Sequence, residues 1–318
     1  MAEKLYDLII IGGGIAGLAS AMYSGRLNMK TLVLAGTRYG TIALTDVVEN
    51  YPGFKRLTGL ELAQKMEEHA LDYAKYVEII DEKAEKIEAS GKGWLVHADG
   101  TKYKTKTVLI ATGTEIKKLG APGEKEYWNK GVHSCALCDG PIYEGKTVAV
   151  VGGGDSAAKE ALLLTQFASR VVIFVRGEAL KPEPINGERV KKNPKITVAA
   201  STRITEIKGD GKKVSALVLD KPFEGKKEFP CDALFLEIGH IPLSELAKSI
   251  GVKTNEHGEI IITRDAETNV PGVFAAGDVA DARFKQAITG VAEGVLAVYS
   301  AYRHINESEI HPTNGKTA

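Results

Sequence analysis

The chain has very little cysteine, with only three such residues among its 318. That number excludes a small secreted domain built on a framework of disulfides. Cys135 and Cys138 are separated by two residues, whereas Cys231 stands alone in an apolar segment. A structural zinc site needs four ligands, and adding His133 and Cys231 to the pair makes an unconvincing set. We therefore expect no metal, a redox-active dithiol at Cys135 and Cys138, and a buried, inert Cys231.

The chain also lacks net charge, because 41 Lys and Arg residues balance 41 Asp and Glu residues. This balance argues against nucleic acid or an anionic membrane as the main partner. The uncharged stretch from Leu8 to Gly25 is long enough to span a bilayer, but three consecutive glycines interrupt it and Glu3 and Asp7 precede it. We expect a cytoplasmic protein with no membrane and no nucleic-acid partner.

Glycine, in contrast, is abundant at 34 residues, and part of it falls in an internal repeat. Each copy consists of an apolar strand, a glycine turn, a helix and a second strand. The first copy is Asp7–Ile11, Gly12-x-Gly14-x-x-Gly17, a helix to Met22 and a strand at Thr31–Leu34. The second copy is Thr147–Val151, Gly152-x-Gly154-x-x-Ala157, a helix to Leu164 and a strand at Val171–Val175. This context supports reading both glycine motifs as dinucleotide fingerprints.

The fingerprint has a physical reason for each small residue. The first glycine permits a tight turn, the second lets the backbone approach a pyrophosphate, and the third allows close packing of helix on strand. The N-terminus of the helix then offers free N–H groups to the phosphates. The candidate residues are Gly12, Gly14, Ile15, Ala16 and Gly17 in the first copy, and Gly152, Gly154, Asp155, Ser156 and Ala157 in the second.

The dithiol lies between the two fingerprints, and Asp139 follows it directly. A thiolate in a CxxC turn suits both electron acceptance and thiol–disulfide exchange. A neighbouring carboxyl group can shuttle protons to and from such a thiol. The arrangement suggests that electrons pass from one nucleotide to another and then to the thiols.

The rest of the chain alternates predicted strands and helices. We predict a helix at Glu61–Lys75, strands at Thr107–Ile110, Lys195–Ala200, Val214–Leu219, Cys231–Ile238 and Val273–Ala276, and a long helix from about Gln286 to His304.

Several motifs stand in an order that is typical of one family. They are Gly12–Gly17, Glu49–Gly53, Ala111–Gly113, Cys135–Gly140, Gly152–Ala157, Gly239–Pro242, Pro271–Val279 and Lys285–Thr289. The chain resembles the low-molecular-weight thioredoxin reductases, class II of the FAD-dependent pyridine nucleotide-disulfide oxidoreductases. The resemblance implies an α/β fold with two Rossmann-like domains of the three-layer ββα type. It places an FAD-binding domain at 1–115 and 242–318, and an inserted NAD(P)-binding-like domain with the CxxC pair at 116–241.

The resemblance also implies a role for each site residue. Cys138 would be the thiol nearest the flavin, Cys135 would attack the external disulfide, and Asp139 would give and accept protons. FAD would be held by Gly12, Gly14, Ile15, Ala16, Gly17, Asn50, Ala111, Thr112, Gly113, Gly277, Asp278, Lys285, Gln286 and Ala287. NADP would be held by Gly152, Gly154, Asp155, Ser156, Ala157, Arg176 and Lys181.

The implied function is a homodimeric FAD-dependent thioredoxin-disulfide reductase. It would pass electrons from NADPH through FAD and the Cys135–Cys138 disulfide to a thioredoxin- or glutaredoxin-like protein. The alternatives are a related flavoprotein that uses ferredoxin, a deazaflavin or NADH as donor, and a low-turnover flavin redox sensor. The intact CxxCD motif argues against a sensor, since a sensor does not need an acid beside its dithiol.

Two segments depart from the family pattern. The family places three arginines in the loop that receives the NADPH 2′-phosphate, whereas this chain has Arg176 and Lys181, with Glu178 between them. Pro182 and Pro184 are expected to break the helix that usually follows. Because lysine supplies only a point charge, NADPH recognition should be weak, which leaves the donor open.

The second departure is at the flavin side. Gly40-Thr41-Ile42-Ala43 stands where the family has Gly-Gly-Gln-Leu, and Ala35-Gly36 carries no acidic anchor for a ribose. We expect individual FAD contacts to differ, and FAD itself to bind.

Overall fold

A computed structural model describes residues 5–45 and 48–310. The chain divides into two compact units. The first unit consists of the residues up to Glu115 together with those from Ile241 onward. The second unit consists of Ile116–His240 and is therefore inserted into the first. Short strands β7 (Thr114–Ile116) and β16 (His240–Pro242) pair where the chain passes from one unit to the other.

The first unit is built on a sheet with strand order β3-β2-β1-β6-β5-β4, and β17 also pairs with β6. β1, β2, β3, β6 and β17 run parallel, and β4 and β5 add an antiparallel extension. The strands are β1 Leu5–Gly14, β2 Thr31–Tyr39, β3 Val77–Ile80, β4 Ala84–Ser90, β5 Gly93–Ala98, β6 Thr101–Ile110 and β17 Val273–Ala275. The helices are α1 Ile15–Arg26, a 3₁₀ turn Gly40–Leu44, α2 Gly59–Leu71, α7 Glu245–Lys248 and α8 Ala287–Ile310.

Alternation along the parallel strands divides the core of the first unit into two layers. Leu8 and Ile10 of β1 pack with Ala297 and Val298 of α8 on one face. Ile9 and Ile11 pack on the other face against apolar residues of β4, β5 and α7. Successive side chains of a strand point to opposite faces, so both faces of this sheet are covered, one of them by helices.

The second unit contains a parallel sheet of order β11-β10-β9-β15-β8 and a separate antiparallel sheet of order β12-β13-β14. The strands are β8 Val132–His133, β9 Thr147–Val151, β10 Arg170–Phe174, β11 Ile196–Ala199, β12 Ile204–Gly209, β13 Val214–Phe223, β14 Lys226–Pro230 and β15 Ala233–Leu236. The helices are α3 Glu124–Tyr127, α4 Ala136–Asp139, a 3₁₀ turn Gly140–Tyr143, α5 Asp155–Leu164 and α6 Pro184–Lys192.

This unit is also layered on both sides of its parallel sheet. Phe174 of β10 packs with Leu217 and Phe229 of the antiparallel sheet. The other face packs against Ala157, Ala161 and further residues of α5. The predicted α/β fold with two Rossmann-like units of three layers is confirmed.

The secondary structure differs from the sequence expectation at the proline segment and at several strands. Pro182 and Pro184 do not break the helix, because α6 begins at Pro184 itself. A proline at the first helical position loses no hydrogen bond and has a suitable φ, so it starts a helix there. The strands β3, β4, β5, β12 and β14 are not among the predicted ones. In β4 the charged residues Glu85, Lys86 and Glu88 surround the buried Ile87 and mask the alternation.

Within residues 5–45 and 48–310, no helix is both long and apolar enough to cross a membrane. In the same ranges, no three His, Cys, Asp or Glu side chains gather as a metal site. Cys231 is buried, as expected, and burial raises the pKa of its thiol strongly.

Candidate nucleotide and dithiol sites

The first glycine turn connects β1 to α1 in the first unit. Gly12 has φ 127°, and a Cβ there would lie 2.1 Å from the Ala111 carbonyl oxygen. A Cβ at Gly17 would lie 2.0 Å from the Gly12 oxygen. At Gly14 the nearest atom to a Cβ would be 4.0 Å away, and φ is −76°. The protein itself therefore requires glycine at positions 12 and 17, whereas the space at Gly14 is open.

Two further loops reach the same sheet edge. Ile11, Ile110 and Ala275 stand side by side in the register of the parallel strands β1, β6 and β17. Ala111–Gly113 and Gly277–Asp278, which follow these strands, therefore lie beside the first glycine turn. A Cβ at Gly277 would be 3.1 Å from Ala16 Cβ, which shows how closely the loops meet.

Two more predicted residues meet although they are 236 positions apart. Asn50 Nδ2 donates a hydrogen bond to Gln286 Oε1 at 2.8 Å. The side chain of Lys285, in contrast, is bound by groups of the protein itself. Its ammonium donates to the Asp278 carbonyl at 2.8 Å and the Ala280 carbonyl at 2.6 Å, and lies 3.0 Å from Glu259 Oε1.

The second glycine turn connects β9 to α5 in the second unit. A Cβ at Gly152 would lie 2.3 Å from the Glu237 carbonyl oxygen, whereas Gly154 has nothing within 4 Å. Asp155 Oδ1 accepts from the Glu183 N–H at 2.8 Å and from Asn186 Nδ2 at 2.9 Å. Although burial alone would raise the pKa of Asp155, hydrogen bonds from Lys159, Asn186 and Glu183 lower it. This carboxylate thus fixes the start of α6, and Ser156 beside it is exposed.

The two predicted cations lie near this turn. Arg176 follows β10 and is exposed, without an ion pair among the described residues. The backbone N–H of Lys181 donates to the Gly153 carbonyl at 2.8 Å, which holds the loop against the glycine turn. The side chain of Lys181 is exposed. Both cations are therefore available to an anionic ligand.

The CxxC pair forms a disulfide with a Cα–Cα distance of 5.4 Å. Cys135 caps the short helix α4, since its Sγ accepts from the Cys138 N–H at 3.1 Å. Cys135 is 5% exposed, whereas Cys138 is an exposed residue. A neighbouring carboxylate, Glu160, accepts from the Ala136 N–H at 2.7 Å.

Asp139 contacts a buried imidazole. The Nδ1 atom of His133 lies 3.2 Å from Asp139 Oδ2, and the Nε2 atom lies 2.7 Å from the Tyr143 hydroxyl. Burial lowers the pKa of His133, an effect that Asp139 partly offsets. Burial raises the pKa of Tyr143 to about 12. The disulfide is thus followed by an acid that contacts a buried imidazole, which in turn contacts the half-buried Tyr143 phenol.

Comparisons with known proteins agree with this geometry. A family model described as pyridine nucleotide-disulphide oxidoreductase matches residues 6–294. A thioredoxin reductase of Bacillus subtilis is 41% identical over 313 residues, which cover 96% of each chain. The solved thioredoxin reductase of Lactococcus lactis has a TM-score of 0.90 and 38% identity, covering 95% of this chain and 99% of that one. The solved T. acidophilum thioredoxin reductase has a TM-score of 0.89 and 34% identity, covering 96% of this chain and 100% of that one.

The chain belongs to the pyridine nucleotide-disulphide oxidoreductase family. Its relatives within that family are thioredoxin reductases, so the chain is an oxidoreductase of this class. Enzymes of this family use a flavin and a pyridine nucleotide as cofactors.

The first turn fits an FAD pyrophosphate. No side chain caps the start of α1, so its N–H groups face the open space at Gly14. Gly113 and Gly277 have φ of 66° and 79°, a region that favours glycine, so neither position carries a side chain where the loops meet this edge. Backbone N–H groups at a helix start are suited to phosphate oxygens.

The departures from the family on the flavin side have a structural outcome. Ile42 packs against the apolar cluster of Val48, Leu57 and Leu62. At position 42, where the family has a glutamine, this chain therefore has a side chain that makes apolar contacts. Near the end of β2, Arg38 pairs with Glu67 and Asp81 of the same unit.

Three functional candidates escaped the sequence analysis. Glu293 of α8 accepts from the Gly277 N–H at 2.9 Å, and burial raises its pKa. Tyr143 reaches the Asp139 network, and Glu237 lies beside the second glycine turn. Only Tyr143, four residues after Asp139, is near enough in sequence to have given a signal.

Glu237 gives a prediction for stability against pH. Burial, helped by the charge of Glu160, raises the pKa of Glu237 to about 8. Between about pH 4.5 and 8 the native state keeps a proton that the unfolded chain has lost, so stability falls as pH rises. Glu237→Gln should remove this loss and raise the Tm near pH 8 by roughly 3 °C or more, with little gain near pH 5.

Differential scanning calorimetry at the two pH values measures this difference. Glu178→Gln removes an exposed acid of the same unit and is the matched control, expected to change Tm little at either pH. Equal Tm gains for Glu237→Gln at both pH values would contradict the raised pKa.

Proposed function

We propose that the chain is an FAD-dependent thioredoxin-disulfide reductase. Electrons come from NADPH, or from another donor, and leave through the Cys135–Cys138 disulfide to a thioredoxin- or glutaredoxin-like protein. The observation that carries the proposal is the CxxC disulfide followed by an acid, on a unit with an open glycine turn. A bound FAD, held by the first glycine turn and the loops beside it, would supply the two electrons that open the disulfide.

The chain's own residues would then perform two exchange steps. Opening the disulfide gives two thiols, and Asp139 exchanges protons with them. The Cys135 thiolate attacks one sulfur of the partner disulfide, which breaks that bond and forms a mixed disulfide. The Cys138 thiolate attacks Cys135 Sγ, which restores the internal disulfide and releases the partner with two thiols. Because Cys135 is 5% exposed in the oxidised state, this order requires its sulfur to become accessible.

The alternative of a low-turnover flavin sensor is tested by the same assay. Anaerobic titration of the purified protein, with the flavin absorbance followed, is done with NADPH, NADH and reduced ferredoxin in turn. Oxidised thioredoxin is then added. Sustained turnover with thioredoxin supports the reductase, and flavin reduction without turnover would support the sensor.

The donor site gives a separate prediction. Arg176 and Lys181 are exposed cations near the second glycine turn. Removing one charge-assisted contact to a phosphate costs about 1.5–3 kcal/mol, which is roughly a tenfold to hundredfold change in affinity. Arg176→Ala should therefore raise the KM for NADPH by about tenfold and leave the KM for NADH nearly unchanged.

Steady-state kinetics with both nucleotides measures the effect, and Lys191→Ala removes an exposed lysine of α6 as the control. NADPH would be the wrong donor if millimolar NADPH and NADH both fail to bleach the flavin while reduced ferredoxin or a deazaflavin bleaches it.

A cytoplasmic homodimer completes the proposal. Leu296, Tyr299 and Tyr302 of α8 are 42%, 52% and 36% exposed. Their spacing of three residues aligns them along one side of the helix, where a second copy can cover them. Sedimentation of the purified protein tests this, since a dimer has twice the chain mass of 34.1 kDa.

A further inference from the structure

His133 is a buried histidine in contact with the acid of the CxxCD motif. Its side chain is 3% exposed on the short strand β8, and its ring packs 5.4 Å from the Phe235 ring. Nδ1 lies 3.2 Å from Asp139 Oδ2, yet it makes no hydrogen bond of good geometry within the described residues. A buried nitrogen that faces one carboxylate and has no other partner requires an explanation.

The tautomer of His133 follows from its other neighbour. Burial keeps both the imidazole and the Tyr143 phenol neutral around pH 7, since it lowers the pKa of His133 and raises that of Tyr143 to about 12. When the Tyr143 hydroxyl donates to Nε2 over their 2.7 Å contact, the ring proton is on Nδ1 and faces Asp139. When Asp139 is protonated, the direction of the two hydrogen bonds can reverse. Nδ1 then accepts from the Asp139 acid, and Nε2–H donates to the Tyr143 hydroxyl.

We propose that His133 is a positioning residue that holds Asp139 in both of its protonation states for proton exchange with the CxxC thiols. The inference rests on the proposed function, in which Asp139 exchanges protons with those thiols. In the exchange step the Asp139 carboxylate takes the proton of the attacking thiol, whose sulfur bonds to one sulfur of the partner disulfide while the partner's S–S bond breaks, and Asp139 then gives that proton to the leaving thiolate. In this proposal a small turn of either side chain closes the 3.2 Å approach into a hydrogen bond, in which the Nδ1–H of His133 donates to the charged carboxylate and orients it.

The other ionisable groups around this network are few. Asp232 and Cys231 act electrostatically on Tyr143. Asp232 Oδ2 accepts from the Thr147 N–H at 3.2 Å, and the Cys231 thiol stays protonated because burial raises its pKa. Asp139 is the group that faces Nδ1.

The test uses a matched pair of variants, His133→Asn and His133→Leu. Both lose the ring and its packing on Phe235, but only the asparagine amide can donate to or accept from Asp139 near the Nδ1 position. The holoprotein is reduced with dithiothreitol, freed of it, and mixed with oxidised thioredoxin or with dithionitrobenzoate, a small aromatic disulfide. Single-turnover rates are measured from about pH 6 to pH 9.

His133→Leu should react about tenfold more slowly than wild type near pH 6 to 7, and the two rates should converge near pH 9, where a thiol ionises without a base. His133→Asn should stay within about threefold of wild type across the range. In the Asp139→Asn background, His133→Leu should slow the reaction no further.

Equal losses in the asparagine and leucine variants, or a loss that persists near pH 9, would overturn the proposal and leave His133 as a packing residue. An additional tenfold loss in the Asp139→Asn background would overturn it as well. If the wild-type dithiol reduces dithionitrobenzoate but not thioredoxin, the proposed function fails, while the comparison of the two His133 variants still decides the role of His133.

Discussion

Replacing either cysteine of the pair with serine should abolish thioredoxin reduction, by at least about a thousandfold, while FAD stays bound. One remaining thiol can form a mixed disulfide but cannot resolve it, so no cycle is completed. The flavin should remain because the glycine turn that fits FAD belongs to the other unit of the chain. Insulin-coupled thioredoxin turnover and the flavin absorbance measure the two results.

The two serine variants also assign the roles of the thiols. With Cys135 as the external nucleophile, Cys138→Ser should trap thioredoxin as a stable mixed disulfide and Cys135→Ser should not. The opposite result would give external attack to Cys138, which is the exposed member of the pair. Cys231→Ala, at the buried free cysteine, is the control that should keep turnover. Retained thioredoxin reduction in Cys138→Ser would refute the dithiol mechanism.

The features that could be read from the sequence are local or depend on a simple rule. The glycine turns at Gly12 and Gly152 were visible because each lies between a strand and a helix. The meeting of Ala111 and Gly277 with the first turn follows from parallel strands that end at one sheet edge. Family resemblance places Asn50 and Gln286 at the flavin, but the hydrogen bond between them is not predicted, since no local signal joins residues 236 positions apart.

The features that could not be read depend on tertiary packing. His133 is buried against Phe235 because the two-residue strand β8 pairs with β15, a hundred residues further along the chain. The raised pKa of Glu237 comes from burial and from Glu160 on another element, and composition gives no sign of either. The prediction that Pro184 breaks a helix was wrong, because proline disrupts a helix in its interior but is favourable at the first helical position, where α6 places it.

Gly14→Ala should leave the protein folded and greatly weaken FAD binding. The structure offers a methyl group enough space there, since the nearest atom is 4.0 Å from a Cβ and φ is −76°. If glycine is needed at this position, the reason is the approach of a ligand to the backbone. A methyl group pressed against the pyrophosphate should cost on the order of 2 kcal/mol or more, about thirtyfold in affinity.

Gly12→Ala and Gly154→Ala complete the comparison. At Gly12 a Cβ would lie 2.1 Å from a backbone oxygen, so that variant should lose stability with or without FAD. Gly154 is as open as Gly14 but belongs to the second turn, so its variant should fold, keep FAD and affect only the pyridine nucleotide. FAD affinity of the stripped protein, measured by fluorescence quenching, and the Tm of each apoprotein separate the three cases. A folded Gly14→Ala protein with wild-type FAD affinity would contradict the prediction. It would show that the flavin does not come close enough to this turn to touch a methyl group at position 14.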